Sequence, residues 1–119
     1  MILCVDDENN ALMLRKLVLE RAGFSVITAN SLAQALEVLS HTPVDLVLSD
    51  QLMPNGSGTE LAREAKSRHP GIPFAIISGV NELPPDAAYA DLFMSKVEGP
   101  VAMCEKISAL LARNAEAQH

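Results

Sequence analysis

The chain has 119 residues, which is the size of one domain and leaves no room for a second. Its hydrophobic fraction of 49% and charged fraction of 20% exclude a disordered tail, a collagen and a coiled coil, and no apolar run approaches the length of a membrane span. The net charge of −6, without a basic run, argues against direct nucleic-acid binding, and two cysteines are too few for a disulfide framework or a zinc site.

The two ends of the chain and its thiols carry further expectations. The apolar start runs directly into Asp6 and Asp7 without a basic segment or a cleavage site, so we expect a natural N-terminus and a cytoplasmic protein without membrane association. In that compartment Cys4 and Cys104 are expected to be reduced, buried thiols. A single domain over 1–119 is predicted, with an ordered core over about 1–113 and a frayed tail over 114–119.

Five short apolar runs alternate with five more polar, helix-like stretches. The runs cover residues 2–5, 24–29, 44–48, 74–77 and 92–94. Apolar runs without alternation indicate strands that are buried on both faces, as in a parallel sheet. The repeated alternation of strand and helix therefore predicts an α/β fold with a parallel sheet and right-handed crossovers.

The first two helices have start and end signals. Asn9 or Asn10 could cap the first helix, and Gly23 stands where a helix favours a left-handed residue. Its predicted core stripe, at helical spacing, consists of Leu14, Leu17 and Val18, with Arg21 at the edge. The second helix is predicted to begin after Ser31, with Leu32, Ala35, Leu36 and Leu39 on its inner face.

The remaining helices are bounded by prolines. A third helix is predicted over about 59–69, before Pro70, and a short fourth helix follows Pro84 and Pro85. The fifth helix begins near Pro100, a residue suited to a first helical turn. Its predicted inner face consists of Met103, Ile107, Leu110 and Leu111.

Polar side chains follow four of the five predicted strands: Asp6, Asp7 and Glu8 the first, Asp50 the third, Ser78 the fourth and Lys96 the fifth. In a doubly wound sheet, ligands bind beyond the carboxyl ends of the strands, so these groups should meet there. Crowded carboxylates need a cation, and ligands that are all oxygen favour Mg²⁺ over zinc. A metal, a lysine and a hydroxyl around a carboxylate are typical of phosphoryl transfer to that carboxylate.

With these motifs the sequence resembles a response regulator receiver domain over essentially the whole chain. The resemblance rests on Val5-Asp6-Asp7-Glu8, on the segment 50–58, on Ser78-Gly79 and on Lys96, each at its expected strand. The segment 50–58 is the most specific, with Met and Pro at the third and fourth positions after Asp50 and Gly at the eighth. The resemblance implies a flavodoxin-like (βα)5 fold with strand order 2-1-3-4-5. It also implies a signalling domain rather than an enzyme, limited to self-catalysed phosphotransfer and autodephosphorylation.

The resemblance implies a metal-dependent phosphoacceptor. Asp50 would take a phosphoryl group from a sensor histidine kinase or a phosphotransfer protein, and the domain would then change conformation to control a partner. Asp7 would ligate Mg²⁺ directly and Asp6 through water. Asp50 itself and the backbone carbonyl of Leu52 would be further ligands, and Mn²⁺ could replace Mg²⁺. A homodimer is compatible with the resemblance, whereas the kinase and the effector are not indicated.

The resemblance also implies a conformational switch. Lys96 would pair with a phosphoryl oxygen, and the Ser78 hydroxyl would swing toward the phosphoryl group. Phe93, three residues before Lys96, matches an aromatic switch position whose ring would turn inward when Ser78 moves. An aromatic residue in a buried strand is also an ordinary core residue, so both interpretations of Phe93 stay open.

The sequence departs from the family pattern in three places. Val97 follows Lys96 where proline is usual, so we expect a trans peptide bond and a rearranged loop. The segment 78–96 is short, with prolines in its helix, so partner choice is expected to be atypical. Leu52 and Val80 stand where the family often has polar groups that affect dephosphorylation. Because apolar side chains cannot position a water molecule, a long-lived phosphoryl group is expected.

Two other functions remain in view. One is a receiver that binds partners without phosphorylation. The presence of Asp6, Asp7, Asp50, Ser78 and Lys96 argues against it, whereas the missing proline and the altered fourth helix keep it open. The other is a phosphatase with an aspartyl nucleophile, although such enzymes need a second Asp where this chain has Leu52. The histidines form no site: His41 and His69 fall at predicted helix ends and His119 is terminal, so all three are expected at the surface.

Overall fold

The structure is a computed structural model that describes residues 1–53, 56–79 and 90–117, with side chains described to residue 115. Its helices are α1 (Asn9–Arg21), α2 (Leu32–His41), α3 (Gly58–Arg68) and α4 (Pro100–Ala117). Its strands are β1 (Ile2–Val5), β2 (Val26–Ala29), β3 (Leu46–Asp50), β4 (Leu52–Met53), β5 (Gly56–Ser57), β6 (Phe74–Ser78) and β7 (Leu92–Ser95).

The main sheet has five parallel strands in the order β2-β1-β3-β6-β7. Since β6 and β7 are its fourth and fifth strands along the chain, the predicted α/β fold and the order 2-1-3-4-5 are confirmed. The short strands β4 and β5 form a separate antiparallel pair directly after β3. The predicted short fourth helix lies outside the described residues.

Side chains of successive strand residues point to opposite faces of the sheet, and each face has its own hydrophobic core. One core lies under α1 and α4 and includes Ile2, Cys4, Leu12, Leu19, Leu48, Ile77 and Ile107. The other lies under α2 and α3 and includes Leu3, Val5, Ala35, Val47, Leu61, Phe74 and Ile76. Continuous apolar strands are therefore buried on both faces, as the sequence predicted.

The predicted core stripe of α1 is wrong. Leu14 is 64% exposed and Leu17 is 46% exposed, whereas Leu12 and Leu19 are buried against the sheet. Val18 is partly buried and packs at the border of that core. Apolar residues occur around most of this helix, so their spacing is compatible with two different buried faces. Packing against the sheet selects the face that contains Leu12 and Leu19.

The beginning of α1 also differs from the prediction, whereas its end agrees. Glu8, rather than Asn9 or Asn10, caps the helix, because its carboxylate accepts hydrogen bonds from the backbone N–H groups of Asn10 at 3.1 Å and Ala11 at 2.7 Å. These contacts satisfy N–H groups that have no partner within the helix. Gly23 has φ of +100°, which confirms its predicted left-handed conformation after the helix.

The other described helices follow their predicted patterns. Ser31 caps α2 through its hydroxyl, which accepts a hydrogen bond from the N–H of Gln34 at 3.1 Å. Pro100 is the first residue of α4. The inner residues predicted for α2 and α4 are buried or pack against the two cores. Helix α4 continues to Ala117, beyond the expected boundary near residue 113.

The second and third predicted strands are displaced along the chain. The second begins at Val26 rather than at residue 24, because the N–H of Phe24 donates to the carbonyl of Leu19 at 3.1 Å and so belongs to the end of α1. The third ends at Asp50 rather than at residue 48, because Ser49 and Asp50 are buried and pair with β6. The phosphoacceptor candidate is therefore the last residue of a strand.

The predictions for histidines and cysteines hold in part. His41 and His69 are exposed at the ends of α2 and α3, as predicted, and His119 lies outside the described residues. Both cysteines are free thiols, and Cys4 is buried. Cys104 is only half-buried, which corrects its prediction, because it lies at the border of the core on α4.

Among the described helices, none combines the length and the apolar character that a membrane crossing requires.

The packing of α1 can be tested with two leucines of the same helix. We expect Leu19→Ala to lower the free energy of unfolding by about 2–5 kcal/mol, because it leaves a cavity in a fully buried site. Leu14→Ala should change it by less than about 0.5 kcal/mol, because this side chain already faces solvent. Urea unfolding followed by circular dichroism measures both values. Equal losses in the two variants would contradict the observed orientation of α1.

Candidate functional site

Three carboxylates meet at the carboxyl edge of the sheet. Ligand atoms of Asp6, Asp7 and Asp50 all lie within 4.8 Å of one another. Asp6 directly follows β1 and Asp50 ends β3, and these two strands are paired neighbours. Asp6 and Asp50 are buried, whereas Asp7 is exposed. The sequence prediction that the polar strand ends gather at one edge is confirmed for these three side chains.

Lys96 contacts the carboxylate of Asp50. Its Nζ lies 2.9 Å from Asp50 Oδ1, and the same oxygen accepts a hydrogen bond from the N–H of Gln51 at 3.1 Å. The backbone positions Lys96, because its N–H donates to the carbonyl of Ser78 at 2.8 Å, one residue beyond β7. Asp50 is 4% exposed, so its charge lies largely out of water and is compensated by these two donors.

The loop after Asp50 is fastened to the beginning of α3. Gln51 Oε1 accepts hydrogen bonds from the N–H of Thr59 at 3.1 Å and from its hydroxyl at 3.2 Å. The N–H of Gly58 donates to the carbonyl of Gln51 at 3.0 Å. Leu52 follows with its side chain 59% exposed, so an apolar group borders the site on the solvent side. These contacts hold the backbone beside Asp50 in one position.

Asp6 is held by two contacts that involve both carboxylate oxygens. Its Oδ1 accepts the N–H of Glu8 at 3.0 Å, and its Oδ2 lies 3.1 Å from Nη1 of Arg15 on α1. The thiol of Cys4 lies beside the same guanidinium. Burial raises the pKa of the Cys4 thiol to about 11, although the charge and the hydrogen bond of Arg15 act in the opposite direction. Cys4 is thus an uncharged neighbour of the Asp6–Arg15 ion pair.

Ser78 and Phe93 lie near the carboxyl edge of the sheet, on the neighbouring strands β6 and β7. Ser78 ends β6 and pairs with Ser95, while Phe93 pairs with Ile76 two residues earlier. Strand alternation places Ser78 and Phe93 on the same face, and Phe93 packs at the border of the core under α2 and α3. The two candidate switch residues are therefore close along neighbouring strands. Val80, the other predicted tuning residue, lies outside the described residues.

The loop after Lys96 is stabilised by Glu98. The peptide bond between Lys96 and Val97 is trans, as expected. Glu98 accepts a hydrogen bond from the N–H of Ser95 at 2.8 Å. It also forms an ion pair with Lys106 on α4. The hydrogen bond from Lys106 is the main reason why the pKa of Glu98 is lowered, followed by that from Ser95. Glu98 thus joins the end of β7 to α4.

The donor set at this edge suits a hard divalent cation. The cluster supplies carboxylate oxygens only, and Mg²⁺ prefers such ligands together with water. Asp7 is exposed, so it can reach an ion that keeps much of its water shell. Asp6 has both oxygens engaged already, which favours contact through water over direct ligation. The residues present therefore fit a magnesium ion, with Asp7 and Asp50 as the best placed carboxylates.

Sequence reasoning missed Arg15, Gln51 and the capping role of Glu8. Arg15 follows Leu12 by three positions and precedes Leu19 by four, so it shares the buried face of α1. Only the correct orientation of α1 could have identified it, and the predicted stripe had a different one. Gln51 had no signal of its own, because its partners Thr59 and Gly58 become neighbours only when the loop closes.

A family model described as the response regulator receiver domain matches residues 2–108. The transcriptional regulatory protein GlrR of Escherichia coli (strain K12) is 34% identical over 98% of this chain. The sensor kinase CckA of Brucella abortus (strain 2308) is 36% identical over 76% of it. The chain spans only 27% of the first relative and 10% of the second, so it corresponds to one part of each.

Solved structures have the same fold. A response regulator receiver domain protein (CheY-like) from Methanospirillum hungatei JF-1 is similar with a TM-score of 0.90 and 29% identity, over 98% of this chain and 96% of that chain. The response regulator protein TrrA from Thermotoga maritima, described in complex with Mg²⁺-BeF, is similar with a TM-score of 0.86 and 30% identity. That similarity covers 92% of this chain and 96% of the other.

The packing of the loop beside Asp50 can be tested at Gly58. A Cβ at Gly58 would lie 2.8 Å from the backbone oxygen of Asp50 and 3.0 Å from Gln51 Oε1, so we expect Gly58→Ala to lower the free energy of unfolding by about 1–3 kcal/mol. Gly71→Ala is the matched control, since a Cβ there meets nothing within 4 Å. Urea unfolding compares the two variants. Wild-type stability of Gly58→Ala would contradict the close packing described above.

Proposed function

The chain belongs to the family of response regulator receiver domains, and we propose that it is a phosphoacceptor in a two-component phosphorelay. In this proposal Asp50 receives the phosphoryl group. The observation that carries it is the surroundings of Asp50: a buried carboxylate at the end of β3, 2.9 Å from Lys96 Nζ and within 4.8 Å of two further carboxylates. Such a site combines a nucleophile, a fixed cation and oxygen ligands for a metal.

The donor in this proposal is a phosphohistidine on a sensor histidine kinase or a phosphotransfer protein. A carboxylate oxygen of Asp50 attacks the phosphorus, the new O–P bond forms as the N–P bond breaks, and the imidazole nitrogen keeps the electron pair. Lys96 offsets the charge of Asp50 before transfer and pairs with a phosphoryl oxygen afterwards. The N–H of Gln51 donates to the carbonyl of Ile77, and Gln51 Oε1 accepts a hydrogen bond from the N–H of Thr59. These two contacts keep the Asp50 backbone in place during attack.

We further propose that Asp7, Asp50 and the backbone carbonyl of Leu52 hold Mg²⁺, with Asp6 in contact through water. A bound Mg²⁺ ion, or Mn²⁺ in its place, would neutralise charge on the phosphoryl oxygens. The carboxylate-only donor set supports this assignment, and so does the relative described in complex with Mg²⁺-BeF. The residues of this chain supply the negative charge that attracts the ion and the fixed oxygens that orient it.

The proposed response to phosphorylation is a switch formed by Ser78 and Phe93. The Ser78 hydroxyl would donate to the phosphoryl group, and the ring of Phe93 would then turn inward. Phe93 is partly buried and pairs with Ile76, two residues before Ser78 on the neighbouring strand, which supports a coupling between the two. The switch would pass a local change of charge to the surface that binds a partner.

The relatives indicate a role in two-component signalling, but they differ in the kind of protein that contains the domain. Relatives include both transcriptional regulators and a sensor kinase, so the same domain serves several kinds of protein. We propose a signalling domain rather than an independent enzyme, acting in the cytoplasm, with a histidine kinase or phosphotransfer protein upstream. A homodimer is compatible with this role. The effector remains to be identified by binding experiments with the phosphorylated protein.

The assignment of Asp50 is tested by intact mass after incubation with Mg²⁺ and acetyl phosphate. We expect one added phosphoryl group on the wild-type protein and none on Asp50→Asn, because the amide is a poor nucleophile. Asp45→Asn is the matched control: Asp45 is an exposed Asp that pairs with the N-terminal amine. This variant should be labelled like the wild type.

Labelling of Asp50→Asn to the wild-type extent would move the phosphoacceptor to another residue. A folded wild-type protein that accepts no phosphoryl group from acetyl phosphate or from phosphorylated histidine kinases would instead favour a receiver that binds partners without phosphorylation.

The lifetime of the phosphoryl group is a separate prediction. Because the exposed Leu52 side chain has no polar atom that could position a water molecule, we expect phospho-Asp50 to persist for minutes or longer. Leu52→Asn supplies such an atom and should shorten the lifetime several-fold, whereas Leu14→Asn, at another exposed leucine, should not. Mass spectrometry after removal of acetyl phosphate measures the decay. Decay of the wild type within seconds would contradict the prediction.

A further inference from the structure

We propose that Arg15 is an internal counter-ion of the acidic cluster, which fixes Asp6 and weakens the binding of a divalent cation at that cluster. The inference rests on the proposed function in one respect: it takes Asp6, Asp7 and Asp50 as the metal site. It adds a residue outside those motifs, contributed by α1 rather than by a strand end. Arg15 is a positioning residue in this proposal, since it acts on the metal through Asp6.

Arg15 and Asp6 form a buried ion pair. Arg15 Nη1 lies 3.1 Å from Asp6 Oδ2, and the two side chains are 9% and 2% exposed. A guanidinium stays protonated at every pH at which the protein is folded. Because solvent and salt screen a buried pair weakly, this positive charge acts on the neighbouring carboxylates at nearly full strength. Exposed surface pairs lack that effect.

Arg15 lies on the buried face of α1. The buried face of α1 is otherwise apolar, with Leu12 and Leu19 on either side of Arg15 along the chain. A buried arginine is costly unless a carboxylate and further hydrogen-bond partners receive it. Asp6 and the thiol of Cys4 are those partners. The Arg15 guanidinium is therefore directed toward the acidic edge of the sheet. Its contacts with Asp6 and Cys4 offset the free-energy cost of burying its charge.

The net charge of the cluster depends on the cations that contact its carboxylates. The three carboxylates have ligand atoms within 4.8 Å of one another, and within the described part of the chain Lys96 contacts Asp50 and Arg15 contacts Asp6. Lys96 is 39% exposed and is therefore partly screened, whereas Arg15 is not. A divalent cation that enters the cluster meets the fixed positive charge of Arg15. Arg15 reduces the net negative charge of the cluster, and both oxygens of Asp6 already accept hydrogen bonds. Both effects lower the affinity of the cluster for the divalent cation.

The experiment compares three variants with the wild-type protein by calorimetric titration with MgCl₂. Arg15→Met removes the charge and keeps much of the apolar stem, so we expect Mg²⁺ to bind about tenfold tighter or more. Arg15→Lys keeps the charge and should stay near the wild-type affinity. Arg21→Met is the matched control, because it removes an exposed arginine from the last turn of the same helix and gives the same net charge as Arg15→Met.

Stability gives a readout that is independent of the titration. Arg15→Met leaves a buried carboxylate without its partner, so we expect a lower melting temperature without metal. Saturating Mg²⁺ should then raise the melting temperature of Arg15→Met by more than that of the wild type, since tighter binding stabilises the folded state further. Arg15→Lys should show the wild-type increment.

A measurement on the wild-type protein covers the case in which Arg15→Met does not fold. The Nε–H resonance of Arg15 in a nitrogen-15 NMR spectrum should shift during titration with MgCl₂, together with the amide of Asp7. An Arg15 resonance that stays constant while Asp7 shifts would overturn the proposal.

The titration outcomes separate this proposal from the proposed function. Equal or weaker Mg²⁺ binding by folded Arg15→Met, with binding by the wild type, would overturn the role of Arg15 and leave the metal site intact. An absence of Mg²⁺ binding in the wild type and in all folded variants would overturn the metal site itself. Tighter binding by Arg15→Met alone supports both.

Discussion

The repulsion between carboxylates at the buried edge of the sheet is the constraint on which the rest of the site depends. Pairing of β1 with β3 brings Asp6 and Asp50 to the same edge, and both are buried there. Carboxylates removed from water must be paired with cations or hydrogen-bond donors. Lys96, Arg15 and the N–H groups of Gln51 and Glu8 are these partners. Chain segments far apart in sequence are therefore tied together by one cluster of charge.

The two-faced sheet separates the groups that hold charge from the groups proposed to transmit the signal. Alternation along β3 puts Asp50 on the face of α1 and α4, where Arg15 also lies. Alternation along β7 puts Phe93 on the other face, at the border of the core under α2 and α3. A change at the carboxyl edge can thus affect both cores, because the strands that end there are shared between them.

The sequence predicted the fold and the acidic cluster because both depend on local features. Short apolar runs specify buried parallel strands, and the topology of such a sheet then brings Asp6, Asp7 and Asp50 together. The orientation of α1 could not be predicted in this way, because its apolar residues surround the helix and only packing chooses among them. Arg15 was missed for the same reason. Its partner, Asp6, was assigned to the metal alone, since spacing does not show which charges are neutralised within the protein.

Internal neutralisation explains how such a cluster can fold before it binds an ion. With Lys96 on Asp50 and Arg15 on Asp6, each buried carboxylate has its own cation, and the third carboxylate, Asp7, is exposed to water. Solvent therefore screens Asp7, whereas Asp6 and Asp50 depend on their cations. In the proposed function, a divalent ion would offset the further negative charge that a phosphoryl group brings. Structural and chemical requirements would then be divided between different cations: Arg15 would serve the folded state, Mg²⁺ the proposed transfer, and Lys96 both.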